Sequence, residues 1–395
     1  MSSVITGLEV LKSSKTLQER IKGNVAYLCH SASVDNNFIS GIDILQNIFG
    51  KRLIKLFGPQ HGIRSDVQDN MIESDHFEHP YYKIPVYSLY SETRIPTDEM
   101  LSEIDSLIID LQDVGTRVYT YISTLGLLME KCEDKDINII ILDRPNPIGG
   151  KVIEGNVLDK NFKSFVGQYE IPMRHGLSFG EFARFVQKYH CPNTNLEVVE
   201  LKNWAREMMF DETGLPWVNP SPNLPTSIGA LTYPGTVLYE GTTISEGRGT
   251  TRPLEIIGHP KLDSFSFCSK MNKLLNDCGL DSQVLRPIEF LPTFQKHSGS
   301  ICGGFQIHPT DINTFRPWHV GQLIMKELYK SQLTDKFWND SPYEYEFEKL
   351  SIDLINGSDL IRTWIESDNK YQDLLEIEST GRTEYMEKMK EITIY

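Results

Sequence analysis

Short apolar segments alternate with amphipathic segments over the first 145 residues of the chain. The apolar segments are Asn24–Leu28, Leu53–Phe57, Val86–Leu89, Leu107–Leu111 and Ile137–Leu142. The helix-like segments between them are Ile42–Phe49, Thr97–Ile104 and Ile122–Lys131. Strands that are apolar on both faces and alternate with helices indicate a parallel sheet covered on both sides. We therefore predict an α/β fold with a doubly wound, Rossmann-like domain.

The regular alternation is lost after the Gly- and Pro-rich segment Arg144–Gly150, which predicts a second unit. We place the boundary near residue 160, with a Rossmann-like domain at 1–160 and an accessory α/β (α+β) domain at 161–395. Ser178 and Glu181 have capping-box spacing and predict a helix start. Further predicted elements are strands at Leu196–Leu201 and Ser300–Ile307 and helices at Val320–Leu328 and Leu360–Glu366.

The segment Leu215–Pro253 contains six prolines and many Gly, Ser and Thr residues. We predict that it is a long loop without regular structure. A loop of this length in a compact protein is usually functional.

Composition narrows the class of protein. The net charge is −15 without a Lys/Arg run, which argues against binding of nucleic acid through its phosphates. No segment approaches the roughly 20 apolar residues that span a bilayer, so no membrane partner is expected. The six cysteines lack CxxC spacing, which is typical of free thiols in a reducing compartment. The first 20 residues lack a secretory-signal pattern, and we expect a cytoplasmic protein.

Polar side chains follow four of the predicted strands at their carboxyl ends, where ligands bind in open parallel sheets. They are His30; Gln60 and His61; Asp110, Asp113 and Arg117; and Asp143, Arg144 and Asn146. A Tyr90–Arg94 cluster follows a fifth strand. Five such clusters at one edge of the sheet predict a binding site there.

Four arginines lie in polar, Gly- or Pro-rich segments: Arg117, Arg144, Arg174 and Arg248. Arginine binds carboxylates and phosphates through two parallel hydrogen bonds, so an anionic small-molecule substrate would explain them. Pairing with nearby acids at the surface is the alternative.

Several common site motifs are missing from the sequence. It contains no GxGxxG, no GxxxxGK[ST], no HExxH and no zinc-ligand spacing of histidines, so no metal or organic cofactor is expected. One GxSxG occurs around Ser178, but the preceding EIPMRH is a poor strand for a nucleophile elbow. We interpret Ser178 as a helix cap.

A set of specific segments occurs in one order along the chain. They include FGPQHGIRS, DLQDVGTRVYTY, LDRPNPIGG, WVNPSPNLPT and YPGTVLYEGTTISEGRGTTRP. Together they resemble the exo-β-N-acetylmuramidase family of the NamZ type, densely from Leu53 to Pro260 and more loosely to the C-terminus. The resemblance implies an active site in a cleft between the two domains. It also implies release of β-linked N-acetylmuramic acid from the non-reducing end of peptidoglycan fragments, as in cell-wall recycling.

One position departs from the family pattern. Family members usually have Pro-Glu-His-Gly, with the glutamate as the favoured catalytic carboxyl, whereas this chain has Gln60 before His61. An amide cannot exchange a proton near neutral pH. We predict that Glu73, in the loop that leaves the same strand, or Asp113 supplies the carboxyl chemistry. His61 would position the scissile oxygen.

Spacing alone does not choose among the carboxyl groups that could serve the two roles of a glycosidase. The candidates are Glu73, Asp110, Asp113, Asp143, Glu154, Glu181 and Glu246. Glu181 is better explained as the capping partner of Ser178. Asp143 could equally form a structural ion pair with Arg144, and Glu73 could be an ordinary loop acid.

The predicted substrate contacts come from both domains. They are His30, Asp110, Arg117, Tyr119, Asp143, Arg144, Asn146, Glu154, Arg174, His175, Ser221, Asn223, Thr242, Glu246 and Arg248. Two alternatives to the hydrolase stay open. One is a non-catalytic protein that binds or senses muropeptides, and the other is a hydrolase or transferase acting on another anionic sugar.

Overall fold

The computed structural model of the protein describes residues 3–65 and 72–395. The strands in these residues are β1 Val25–Cys29, β2 Leu53–Gly58, β3 Phe77–Glu78, β4 Pro85–Ser88, β5 Ser106–Asp110, β6 Asn138–Leu142, β7 Leu196–Val199, β8 Ile256–His259, β9 Gln283–Phe290 and β10 Cys302–Pro309.

The α-helices begin and end at defined residues in the same part of the chain. They are α1 Gly7–Ser13, α2 Lys15–Arg20, α3 Gly41–Phe49, α4 Asp98–Leu101, α5 Tyr121–Cys132, α6 Phe179–Tyr189, α7 Ser227–Thr236, α8 Ser264–Asp277, α9 Pro317–Lys330, α10 Ser351–Asn356, α11 Leu360–Glu366, α12 Tyr371–Ser379 and α13 Arg382–Lys390. Short 3-10 helices lie at Gly50–Arg52, Lys160–Phe162, Phe210–Glu212 and Val237–Gly241. No helix in the described residues is long and apolar enough to cross a membrane.

The larger sheet has seven strands in the order β3-β4-β2-β1-β5-β6-β7. All neighbours pair in parallel except β3, which is antiparallel to β4 at the edge. The parallel strands therefore follow the doubly wound order, which reverses between β1 and β5. The predicted α/β class is confirmed. The reversal opens a crevice at the carboxyl ends of these central strands.

The predicted strands of the first 145 residues agree with the observed strands to within one residue at each end. Strands β1 and β5 are buried along their whole length, as the apolar pattern indicated. The edge strand β3 was not predicted, because two residues carry no periodic pattern. Strand β7 belongs to this sheet and lies after residue 160, where we placed the domain boundary. That boundary stays a prediction.

A second, antiparallel sheet of three strands lies in the C-terminal half, in the order β8-β10-β9. Helix α8 packs on it through stacked rings of Phe267 and Phe305. The apolar core around α5 and α6, on one face of the large sheet, continues into this half through Trp318 and Trp364. The second unit is thereby joined to the first by a continuous core. This core determines which surface of the second unit faces the carboxyl edge of the large sheet.

The prediction of a structureless loop at Leu215–Pro253 is wrong, because the segment contains α7. The Thr226 hydroxyl caps this helix by accepting the Gly229 N–H at 2.9 Å. The composition of α7 is unfavourable for a helix, since Pro234 lies inside it. Almost all of the helix is buried, and tertiary packing of this kind outweighs intrinsic propensity.

The contact between α7 and α9 depends on two glycines. A Cβ atom on Gly235 would lie 2.0 Å from the Pro317 carbonyl oxygen, and one on Gly321 would lie 2.3 Å from the Gly235 carbonyl oxygen. Because both obstacles are backbone atoms, the helices cannot adapt by moving a side chain.

We expect Gly235→Ala to lower the free energy of unfolding by about 1–3 kcal/mol, the usual cost of overpacking a core. Urea denaturation would measure the loss. The control is Lys273→Ala, at an exposed position of α8. Its free energy of unfolding should stay within about 0.5 kcal/mol of that of the unchanged protein. Equal stability of the two variants would contradict the tight contact.

Candidate active site

A polar cavity lies beyond the carboxyl ends of β2 and β5, where the second unit covers the large sheet. The space inside it that a water-sized molecule can occupy is about 40 Å³. Its wall is formed by Gln60, His61, Val118, Tyr119, Thr120, Tyr121, Val166, Ser221, Asn223, Leu224, Tyr233, Glu240, Arg248, Leu254, Tyr343 and Glu344. Residues from both ends of the chain therefore meet in one place.

Gln60 is placed in the cavity wall by the turn that follows β2. The Gly62 N–H donates to the Pro59 carbonyl at 2.9 Å, which closes this turn. The Gln60 carbonyl Oε1 accepts a hydrogen bond from the Thr120 hydroxyl. Its Nε2 donates to Oε1 of Glu344 at 3.2 Å. Both ends of the amide are thereby used, which fixes its orientation.

Glu344 brings a carboxyl group into the cavity from the second unit. Its side chain also accepts hydrogen bonds from the Tyr90 hydroxyl, at 2.8 Å to Oε2 and 3.0 Å to Oε1. Burial raises the pKa of Glu344, while the hydrogen bonds from Tyr90 and Gln60 oppose that rise. The protonated form of this carboxyl group therefore persists to higher pH than in an ordinary glutamate.

A second carboxyl group in the wall, Glu240, has a different environment. It forms an ion pair with Arg248 and accepts a hydrogen bond from the Tyr343 hydroxyl at 2.7 Å. Arg248 Nε also lies 3.2 Å from Oε1 of Glu246, whose Oε2 accepts from Lys296 at 2.7 Å. Burial alone would raise the pKa of Glu246, but Lys296 and Arg248 lower it on balance. Acidic and basic groups thus alternate from Glu240 and Arg248 in the wall to Glu246 and Lys296 outside it.

Six of the sequence-predicted residues line this cavity together. They are Gln60, His61, Tyr119, Ser221, Asn223 and Arg248. Three further wall residues, Glu240, Tyr343 and Glu344, were not predicted from the sequence. Glu240 lies inside a quoted motif, where the neighbouring Glu246 was chosen instead. Tyr343 and Glu344 belong to the run YEYEFE, whose alternation of acids and aromatic residues gives no sign of a cavity.

His30 is buried behind the cavity and ties β1 to the loop that carries Ser221. Its Nε2 accepts the Gln112 N–H at 2.9 Å, so its Nδ1 carries the proton and donates to the Pro220 carbonyl at 3.2 Å. Burial, and then the charge of Arg144, lower the pKa of His30 to about 3. The ring is therefore neutral, and a contact of His30 with substrate stays a prediction.

Two predicted arginines form buried ion pairs away from the cavity wall. Arg144 binds Asp110, so its partner is not the adjacent Asp143. Arg174 binds Glu154 at 2.9 Å. These are buried pairs rather than surface pairs. A direct contact of these four side chains with substrate stays a prediction.

Arg117 is fully buried and binds backbone carbonyls instead of an acid. The four acceptors are the carbonyl oxygens of Asn156, Ile171, Ile355 and Asn356. Two of them lie after residue 350, so this side chain connects distant parts of the chain. Burial lowers the pKa of Arg117 to about 9. A role in substrate binding stays a prediction here as well.

Asp143 organises the start of α6. It accepts hydrogen bonds from the Ser178 hydroxyl at 2.9 Å, the Gly180 N–H at 2.6 Å and the Tyr395 hydroxyl at 2.8 Å. Burial raises the pKa of Asp143 to about 7, against these hydrogen bonds. Ser178 and Glu181 form the predicted capping box, so the helix-cap interpretation of both residues is confirmed.

Three more predicted residues hold loops near the site. Asn146 donates to the Leu177 carbonyl at 3.0 Å, and His175 Nδ1 accepts the Leu177 N–H at 3.1 Å. The Thr242 hydroxyl donates to the Tyr239 carbonyl at 2.9 Å. These contacts position backbone around the cavity, and substrate contacts by the three side chains stay predictions.

The two predicted replacement carboxyls lie outside the cavity wall. Glu73 is 43% exposed, accepts a hydrogen bond from the Tyr345 hydroxyl at 2.6 Å and lies 3.8 Å from Arg94. Asp113 is buried and accepts the Gly115 N–H at 2.7 Å. A catalytic role for either residue stays a prediction. The predicted loop between His61 and Glu73 lies partly outside the described residues.

The neutral state of His30 predicts a pH dependence of stability. Its folded pKa of about 3 lies below the unfolded value, so the unfolded chain takes up the proton first. The stabilising effect is complete above pH ~6.5 and is lost as the pH falls. Between pH 7 and pH 5 this should remove about 2 kcal/mol of unfolding free energy.

The variant His30→Gln tests this, because glutamine keeps a donor and an acceptor but does not titrate. Urea denaturation at pH 7 and pH 5 should show a smaller pH-dependent loss in the variant, by about 2 kcal/mol. Identical losses in both proteins would show that His30 is not held neutral.

A doubly wound sheet whose carboxyl edge faces a polar cavity, closed by a second unit that contributes acids, is the architecture of an α/β enzyme for a small polar substrate. The chain belongs to the exo-beta-N-acetylmuramidase NamZ family. The model of the family's N-terminal part matches residues 25–228, and that of its C-terminal part matches residues 231–395.

Relatives match over the whole chain. The peptidoglycan beta-N-acetylmuramidase NamZ of Bacillus subtilis (strain 168) is 38% identical over 394 residues, which cover 99% of this chain and 91% of that protein. Two crystal structures of DUF1343 family proteins from Bacteroides fragilis NCTC 9343 share the fold. One has a TM-score of 0.86 at 32% identity and the other 0.75 at 26%, each covering 100% of this chain and 99% of its own.

Proposed function

We propose that this protein is a glycoside hydrolase that releases β-linked N-acetylmuramic acid from the non-reducing end of peptidoglycan fragments. The observation that carries the proposal is the 38% identity with the Bacillus subtilis β-N-acetylmuramidase across 99% of the chain. A match of this extent includes both units that form the cavity.

The cavity has the chemistry that a sugar substrate requires. Glycosidic bond cleavage uses two carboxyl groups, and Glu240 and Glu344 both lie in the wall. Asn223 and Ser221 offer polar groups for sugar hydroxyls, and Tyr233 adds an aromatic surface.

Arg248 is the residue to which we assign the specificity for muramic acid. Its guanidinium lies in the wall and pairs there with Glu240, and on its other side with Glu246. N-acetylmuramic acid differs from N-acetylglucosamine by a lactyl ether that carries a carboxylate. A planar guanidinium binds a carboxylate through two parallel hydrogen bonds. We therefore assign recognition of the lactyl group to Arg248.

The cellular role is part of the proposal. All six cysteines are free thiols, five of them buried, which is usual in a reducing compartment. We propose that the protein acts in the cytoplasm on wall fragments taken up for recycling. Cell fractionation with an antibody would test this, and recovery of the protein from the medium would contradict it.

The activity is tested with two chromogenic substrates, a β-N-acetylmuramide and the matching β-N-acetylglucosaminide. We expect turnover of the muramide with a clearly higher kcat/KM than of the glucosaminide. Release of N-acetylmuramic acid from a natural disaccharide, followed by chromatography, would confirm the exo-action. Absence of turnover with both substrates, combined with thermal stabilisation by the disaccharide, would favour the alternative of a binding protein.

Arg248→Lys tests the source of specificity, because lysine keeps the charge but loses the planar fork. We expect kcat/KM for the muramide to fall about 10-fold or more, consistent with the ~1.5–3 kcal/mol of a charged hydrogen bond, and the glucosaminide to be affected much less. Arg252→Lys is the control, since Arg252 lies in the same segment and its side chain is 51% exposed. An equal loss with both substrates would contradict the assignment.

A further inference from the structure

The described structure brings a carboxyl group directly against the glutamine of the PQHG turn. Gln60 follows β2 in the first unit, and Glu344 comes from the distant C-terminal part of the chain, yet their side chains are joined by a hydrogen bond of 3.2 Å. Both are almost fully buried, with 6% and 7% exposure, and both line the cavity. An acid therefore lies beside the position where the chain has an amide.

The backbone around Glu344 is unusual. Tyr343 and Glu346 exchange two backbone hydrogen bonds of 3.1 and 3.0 Å, which close a tight turn. The two residues between them, Glu344 and Tyr345, have φ angles of 48° and 67°. Turns of this kind favour Asn and Gly, and left-handed conformations cost other residues free energy. The strained conformation directs the Glu344 carboxyl into the cavity.

Groups from several elements hold this carboxyl in place. Tyr90 and Gln60 donate hydrogen bonds to it from the first unit. The Arg94 guanidinium packs over the Tyr90 ring, 3.8 Å from its centroid. The charges of Arg94 and Glu240 act on Glu344 in opposite directions, and burial dominates, so its pKa is raised. The two carboxyls of the wall have different partners, since Glu240 forms an ion pair with Arg248.

We propose that Glu344 is the catalytic acid of the hydrolase, donating its proton to the glycosidic oxygen, and that Gln60 positions it. This rests on the proposed function. As the bond between C1 and the glycosidic oxygen breaks, the Glu344 proton passes to that oxygen, which leaves as a hydroxyl. A water molecule supplies the new hydroxyl at C1, and its remaining proton restores the carboxyl group. The net reaction consumes one water molecule.

This assignment accounts for the glutamine at position 60. An amide cannot transfer a proton, but it can donate one hydrogen bond to Glu344 and accept another from Thr120, as the described contacts show. Glu73, the earlier candidate, is 43% exposed and does not belong to the cavity wall.

The test uses Glu344→Gln and substrates whose leaving groups differ in their need for protonation. From a dinitrophenyl β-N-acetylmuramide the dinitrophenol leaves as a stable anion, whereas the sugar that leaves from the natural disaccharide, or a simple alcohol, requires the acid. We expect the variant to lose about 100-fold or more in kcat on the substrates that need the acid. We expect less than a 10-fold loss on the dinitrophenyl substrate.

The pH profile gives a readout that a structural role would not move. For the unchanged enzyme, kcat/KM on the natural disaccharide should fall as the pH rises and the acid ionises. That fall should disappear in Glu344→Gln and be weak on the dinitrophenyl substrate. If the variant does not fold, the unchanged enzyme still tests the proposal. Equal pH profiles for the two kinds of leaving group would contradict catalysis by an acid.

Two further variants complete the experiment. Glu348→Gln is the matched control, because Glu348 lies on the same loop with an exposed side chain, and we expect it to keep full activity. Glu73→Gln decides between the two acids, and we expect it to lose much less activity than Glu344→Gln. Thermal denaturation of each variant would verify folding.

The outcomes separate the two proposals. No turnover of any substrate by the unchanged protein would overturn the proposed function itself. If the unchanged protein turns over its substrates and Glu344→Gln loses the same factor in kcat on every leaving group, the role of Glu344 as the acid is overturned while the proposed function stands. A large, leaving-group-dependent loss in Glu73→Gln instead of Glu344→Gln would move the acid to Glu73.

Discussion

The structure depends on the need to satisfy polar groups at the carboxyl edge of a parallel sheet once a second unit covers it. Unpartnered polar groups are costly inside a protein. Arg117 meets this need by binding four carbonyls, and Asp110 meets it by pairing with Arg144. The Arg117 contacts with Ile171, Ile355 and Asn356 join the first unit to the second. The cavity is the part of the edge that the second unit leaves open.

The same constraint explains why the predicted site divides into two groups. A polar residue at the edge can either stabilise the covering unit or face the cavity. Asp143 holds the start of α6, whereas Gln60 lines the cavity and binds Glu344. Both types of residue belong to the segments that resemble the family. Sequence motifs therefore mark the neighbourhood of the cavity without separating its wall from its supports.

The large sheet was predictable because five strands, such as β1 and β5, have apolar runs with a clear pattern. Helix α7 was not predictable, since its stability comes from close packing at Gly235 and Gly321 rather than from its own composition. Glu344 was missed for a similar reason. Glu344 and Gln60 are 284 positions apart in the sequence, and only the fold brings them together. Nothing in the local sequence around Glu344 indicates a site.

The central claim is that the second unit places a carboxyl group at the glycosidic bond. A crystal structure of the Glu344→Gln variant with a muramic acid disaccharide would test it most directly. We predict that the side-chain amide at position 344 lies within hydrogen-bonding distance, about 2.6–3.2 Å, of the glycosidic oxygen. A disaccharide bound with that oxygen beside Glu73 or Asp113, and away from position 344, would contradict the account.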